Sequence, residues 1–137
     1  MKVFLDANII VSVLNKEYPL FNHSARILSL AGQSKFQFYT SPICLAIAFF
    51  FASKKVSEAK AKEKISLLCQ HIKIADADQD GVEKALTNKK IHDLEDGFEY
   101  YAAERVGCKA ILTEDKNDFF FSEIEVLNCS EFIAQKV

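Results

Sequence analysis

Two hydrophobic rhythms alternate along the chain. Residues 2–5, 36–41, 72–75, 110–113 and 125–127 are short, β-branched or aromatic runs bounded by polar or turn-forming positions, which predicts strands. Between them, apolar residues recur three and four positions apart and predict helices over 9–14, 20–31, 42–53, 56–72, 78–89, 94–106 and 130–135. Gly32 and Gly107 act as helix stops, and Pro42 suits a first helical turn. The 42–53 segment is apolar nearly all round and is expected to be buried, whereas 56–72 sets Ala61, Ile65, Leu68, Cys69 and Ile72 on one face and lysines on the other. Val82, Ala85 and Leu86 are expected inward on the 78–89 helix, and Leu94, Phe98, Tyr101 and Ala102 on the 94–106 helix.

Strands alternating with helices imply a mostly parallel open sheet of about five strands, covered on both faces: a three-layer α/β/α fold. At 137 residues, half of them hydrophobic, the chain is expected to form one domain spanning 1–137. Ligands of such sheets gather at the carboxyl ends of the strands, where the strand order reverses. Asp6 and the stretch Thr113-Glu114-Asp115 fall at such ends.

Composition narrows the function. Seventeen Lys and Arg against nineteen Asp and Glu give a net charge of −2, which argues against a general phosphate-neutralising nucleic-acid binder, so any RNA contact must be local. Cys44, Cys69, Cys108 and Cys129 are scattered without a Cys-x-x-Cys pair, disfavouring zinc and disulfides. An acid at position 6 and the lack of any long apolar run predict a soluble, cytoplasmic protein with no membrane segment. No glycine-rich phosphate loop is present, and His23, His71 and His92 lack metal-ligand spacing.

Four short carboxylates remain as candidate chemistry. Asp93 and Asp96 lie three residues apart at a helix start, roughly 5–6 Å from each other, and with Asp6 and Asp115 they form the oxygen-rich cluster that hard divalent cations require. Each acid alone has an ordinary reading: Asp-x-x-Asp at a helix start resembles a capping box, and Asp6 or Asp115 suits a strand end. Their coincidence carries the metal-site expectation.

Val3-Phe4-Leu5-Asp6-Ala7-Asn8 resembles the opening motif of PIN domains, an apolar strand running into Asp-x-Asn. The stretch from Asp93 to Phe119 is similar to that family's second half, an acidic helix start followed by a strand that ends in Thr-x-Asp and then Asp-Phe, and Val126-Leu127 with Ser130-Glu131-Phe132 resembles its ending. The resemblance implies an endoribonuclease coordinating Mg²⁺ or Mn²⁺, commonly a homodimer and commonly the toxin of a toxin–antitoxin pair. It carries Asp6, Asp96 and Asp115 over as metal and catalytic residues, with Asp93 as a further acid and Asn8, Ser41 and Thr113 as hydrogen-bonding neighbours. Asp6 and Asp96 are expected as direct ligands, Asp93 and Asp115 as ligands or partners through water.

Two positions depart from the pattern. Ile47 or a neighbour stands where the family places a Glu after the second strand, and Glu114 stands where many members have Arg. The alternative function is therefore a PIN-fold protein with weakened or lost catalysis that serves as a binding or regulatory module. The lysines from Lys54 to Lys64 read as a solvated helix face rather than an RNA rail. Of the two phenylalanine triplets, 49–51 and 119–121, most rings are expected in the core, one cluster being available for a dimer or antitoxin contact.

Overall fold

The computed structural model describes all residues, 1–137. Five parallel strands, β1 (Lys2–Leu5), β2 (Gln37–Thr40), β3 (Lys73–Ile74), β4 (Ala110–Leu112) and β5 (Glu125–Leu127), form one sheet in the order β3-β2-β1-β4-β5. Seven α-helices join and cover them: α1 (Ala7–Leu14), α2 (Leu20–Leu28), α3 (Pro42–Lys55), α4 (Glu58–Cys69), α5 (Gln79–Thr87), α6 (Leu94–Arg105) and α7 (Cys129–Lys136). This is the three-layer α/β/α architecture expected from the alternation. The register Val3 to Ala110, Phe4 to Ile111 and Leu5 to Leu112 sets β1 against β4 and makes that pair the point where the strand order reverses.

Strand side chains alternate between two cores, as a period of two demands. Val3, Leu5, Phe38, Ala110 and Leu112 pack on one side with α1, Ile27 of α2 and Phe132 of α7. Phe4, Tyr39 and Ile111 pack on the other with Tyr100, Ala102 and Ala103 of α6. Fully burying a side chain of this size contributes about 1.5–3 kcal/mol. All four cysteines are free thiols, Cys69 half-buried and the others buried.

The expected element order holds, but three helix faces differ from the periodicity reading. α3 is not buried all round: only Cys44, Ala48 and Ala52 are fully covered, while Phe50 and Phe51 are about half exposed (53% and 46%). Its neighbours α1 and α4 cover a stripe of small residues, Phe49 packs partly against the same core, and Phe50 and Phe51 stay exposed. On α5, Leu86 faces solvent instead of the core. On α6 the inward face is Gly97, Glu99, Tyr100, Ala102 and Ala103, with Leu94 exposed and Phe98 and Tyr101 half-buried. Gly97 sets this rotation, because a Cβ there would meet Ile91 and Ala85 at 3.0 and 3.1 Å, so α6 presents its glycine to α5. Gly107, at φ +81°, ends α6 in the left-handed conformation that costs a residue with a Cβ about 1–2 kcal/mol.

Two lysines of the 54–64 run serve the fold. Lys55 and Lys64 donate to the carbonyls of Asn15 and Leu14, at the negative end of α1.

Candidate functional site

The apolar run of β1 ends at Asp6, which then caps α1: its Oδ1 accepts the Ala7 N–H at 2.7 Å. The Asp6 N–H still donates to the Leu112 carbonyl, so the residue is fixed at the last rung between β1 and β4. Thr113, fully buried just beyond β4, donates its hydroxyl to Asp6 Oδ2 at 2.8 Å and accepts the Asp115 N–H at 3.0 Å. Asn8 joins the same three groups: its Nδ2 lies 3.3 Å from Asp6 Oδ2, 3.1 Å from Thr113 Oγ1 and 3.2 Å from Asp115 Oδ2. Its Oδ1 accepts the Glu114 N–H. Asp6, Asn8, Thr113 and Asp115, expected together from the sequence, are one hydrogen-bonded unit.

The loop that carries Asp115 is tied down on its outer side. Glu114 Oε2 accepts the Cys129 N–H, and Lys116 pairs with Glu131 at 2.8 Å, so both residues flanking Asp115 are anchored to α7. Glu114, where an Arg facing a phosphate is usual in the resemblance, is therefore turned toward the start of α7.

Asp96 reaches the site from the first turn of α6. Asp93 is the N-cap of that helix, its Oδ1 accepting the Glu95 N–H at 2.9 Å, one residue before the Asp96 N–H that a capping box would use. Ser41 caps α3 and bonds only to Cys44, accepting its N–H and donating to its Sγ, each at 3.3 Å. Neither Asp93 nor Ser41 lines the cleft that the other acids enclose.

That cleft, about 360 Å³, has Asp6, Asp96, Asp115, Asp118, Glu95 and Glu17 among its lining residues and no Lys, Arg or His. Ile47 of α3 is on its wall, where it offers no donor. The crowding is visible in the titration of its members. Burial, then the charges of Asp93, Asp118, Asp6 and Glu95, push Asp96 up to about 7. Burial chiefly, then like charges, raises Glu95 and Asp118 as well.

Sequence reasoning missed Glu99. It lies one turn along α6 from Asp96, is 1% exposed, and accepts the Cys44 thiol at Oε1 over 3.1 Å. Its carboxylate lies within 4.8 Å of donor atoms of both Asp6 and Cys44, and in a second trio within 4.8 Å of Glu95 and Asp96. Burial, then Cys44 and Asp6, drive its carboxyl far above the usual carboxylate range. The signal was the spacing of Asp96, Glu99 and Ala103 on one stripe, hidden because the larger apolar residues of α6 suggested another face.

An open parallel sheet with a cleft at its reversal point whose charged lining residues are all carboxylates defines a class of α/β protein suited to a hard divalent ion. The chain matches the PIN domain model over residues 2–117 and belongs to the PIN domain family. It is 32% identical over 135 residues to Ribonuclease VapC1 of Aquifex aeolicus (strain VF5), covering 96% of this chain and 92% of that one. Among solved structures it is similar in fold to VapBC-1 from nontypeable Haemophilus influenzae (TM-score 0.70, 17% identity, 95% of this chain and 99% of that chain). It is also similar to VapBC2 from Rickettsia felis, solved bound to a DNA fragment from the promoter (TM-score 0.68, 19% identity, 93% and 98%). A third similar fold is Mycobacterium tuberculosis VapC20, a sarcin-ricin loop cleaving toxin (TM-score 0.62, 12% identity, 80% and 86%).

Proposed function

We propose that this chain is an endoribonuclease dependent on Mg²⁺ or Mn²⁺, acting as the toxin of a toxin–antitoxin pair. The observation that carries the reading is the cleft itself: clustered carboxylates with no basic side chain repel an RNA phosphate unless a cation neutralises them. The identity to Ribonuclease VapC1 and the fold shared with VapBC assemblies support it. In this reading the whole chain, 1–137, works as one domain.

Asp6, Asp96 and Asp115 are the residues that would hold the ion, since their oxygens suit a hard cation and no competing positive group faces them. When bound, such an ion supplies an acidified water and compensation for charge on the phosphoryl oxygens. The chain's own groups do the positioning. Thr113 and Asn8 fix the Asp6 and Asp115 carboxylates by hydrogen bonds, and the anchored flanks of Asp115 hold its loop against α7. Asp93 sets the first turn of α6 and adds a like charge to the burial that already raises Asp96. No covalent nucleophile is needed, and no Ser, Thr, Cys or Lys lines the cleft.

The toxin role implies a protein partner. Phe51 lines the cleft and Phe50 lies beside it, both about half exposed, so an antitoxin segment seated on these rings would also cover the acids. We assign a homodimer as the working assembly, to be read by light scattering. No helix is long and apolar enough to cross a membrane.

A second reading, a PIN fold that binds without cutting, is favoured by one observation, the Ile47 side chain on the cleft wall. Incubating the protein with single-stranded RNA in Mn²⁺ and in chelator separates the two. Cleavage that needs Mn²⁺ supports the nuclease; bound Mn²⁺ without cleavage supports the binding module and overturns the nuclease.

A further inference from the structure

Glu99 presents an energetic problem. A buried carboxyl without a cationic partner costs several kcal/mol unless its proton or its hydrogen bonds compensate, and here the surroundings supply only the Cys44 thiol and the Asp6 carboxylate. A glutamine or leucine at this position would fill the same space at less cost, so the fold alone gives no reason for a glutamate.

The geometry gives one. Two oxygens bound to one octahedral Mg²⁺ at about 2.1 Å stand about 3–4 Å apart. Glu99 is the member common to two trios whose donor atoms all lie within 4.8 Å of one another, Asp6 with Cys44 on one side and Glu95 with Asp96 on the other. It therefore connects the end of β1 to the first turn of α6, the two places from which the cleft draws its acids. The carboxyl is also tied to α3. Ser41 donates to Cys44 Sγ and the Cys44 thiol donates to Glu99 Oε1, a relay that begins at the cap of α3. Cys44 stands one turn before Ile47 on that helix, and residues three apart share a face. Ile47, on the α3 side of the cleft, offers no oxygen; Glu99 is not itself a lining residue, but its carboxylate lies within 4.8 Å of those of Asp6 and Asp96, which are.

We propose that Glu99, buried beside Asp6 and Asp96, is a further metal-holding carboxylate, supplied from α6 where α3 contributes none, with Cys44 as its positioning residue. This deepens the proposed function and rests on it. Cys44 touches no reacting atom; its thiol holds Glu99 Oε1 in place and would give up that oxygen to a bound cation.

The experiment is calorimetric titration of MnCl₂ into metal-free full-length protein, comparing the parent chain with Glu99→Gln and with Glu99→Gln/Ile47→Glu, folding being verified by circular dichroism. The expected result is at least a tenfold loss of Mn²⁺ affinity in Glu99→Gln, with thermal stability in chelator equal to or above that of the parent. The double variant recovers affinity to within threefold, a carboxylate on α3 taking over from the one removed on α6. Cys44→Ala is expected to weaken binding severalfold and Cys44→Ser to restore it. Parent-like affinity in Glu99→Gln, or no recovery in a folded double variant, overturns the inference and leaves the cation-dependent function standing. Absence of Mn²⁺ binding by the parent overturns both.

Discussion

Replacing Asp96 by Asn is expected to stabilise the metal-free protein at alkaline pH and to abolish the stabilisation that Mn²⁺ gives. Asp96 is raised from 3.8 to about 7 by burial and by the surrounding acids. The folded state thus keeps this proton to higher pH than the unfolded chain. The associated stability is fully present below pH 4 and is lost as pH rises toward 7. At about 1.4 kcal/mol per unit, a rise of about three units sets an upper limit near 4 kcal/mol, and solvent screening of this half-buried group reduces it to about 2 kcal/mol. Asparagine carries no charge, so the variant escapes that loss. For a chain of this size, 1 kcal/mol corresponds to about 3–4 °C, which predicts a Tm about 6–8 °C above the parent at pH 8 in chelator and nearly equal at pH 4. The assay is a pair of thermal unfolding series in chelator and in excess MnCl₂, from pH 4 to 8. A variant no more stable than the parent at pH 8 in chelator, or an advantage independent of pH, would refute the reasoning.

Other residues give separate outcomes. Phe132 is fully buried against Phe36 and Phe38, where it fastens α7 to β2, so Phe132→Ala is expected to cost about 3–5 kcal/mol in urea unfolding. Gly97→Leu drives a side chain into Ile91 and Ala85 and is expected to lose about 1–3 kcal/mol, with weaker Mn²⁺ binding because Asp96 is its neighbour; an unchanged midpoint would show that α5 and α6 separate freely.

The sheet was legible because its strands are short apolar runs with sharp ends. Asp6 closes β1 and Gly107 closes the helix before β4, so the motif residues could be set at strand ends without coordinates. Asn8 and Thr113 are readable as neighbours of the acids, and hydrogen bonds join them to Asp6 and Asp115. Helix orientation was less legible. In α3 and α6 most of the large apolar residues, Tyr100 excepted, are not the buried ones: alanines and a glycine make the closest approaches, and Phe50, Phe51 and Leu94 remain exposed. A periodicity reading that follows side-chain size selects the wrong stripe in such helices, and Glu99 lay on the one it passed over. Asp118, which the sequence showed only as part of the closing Asp-Phe motif, and Glu95 were not expected in the site, because their places in the cleft depend on how the 3₁₀ turn Lys116–Phe119 and the first turn of α6 face each other.

The central claim is that the carboxylates gathered between β1, β4 and α6 hold a divalent cation. Titrating MnCl₂ into the metal-free parent and into Asp6→Asn/Asp96→Asn under identical conditions tests it most directly. Saturable binding by the parent that disappears in the folded double variant is the predicted result; equal binding by both, or none by the parent, would contradict the account.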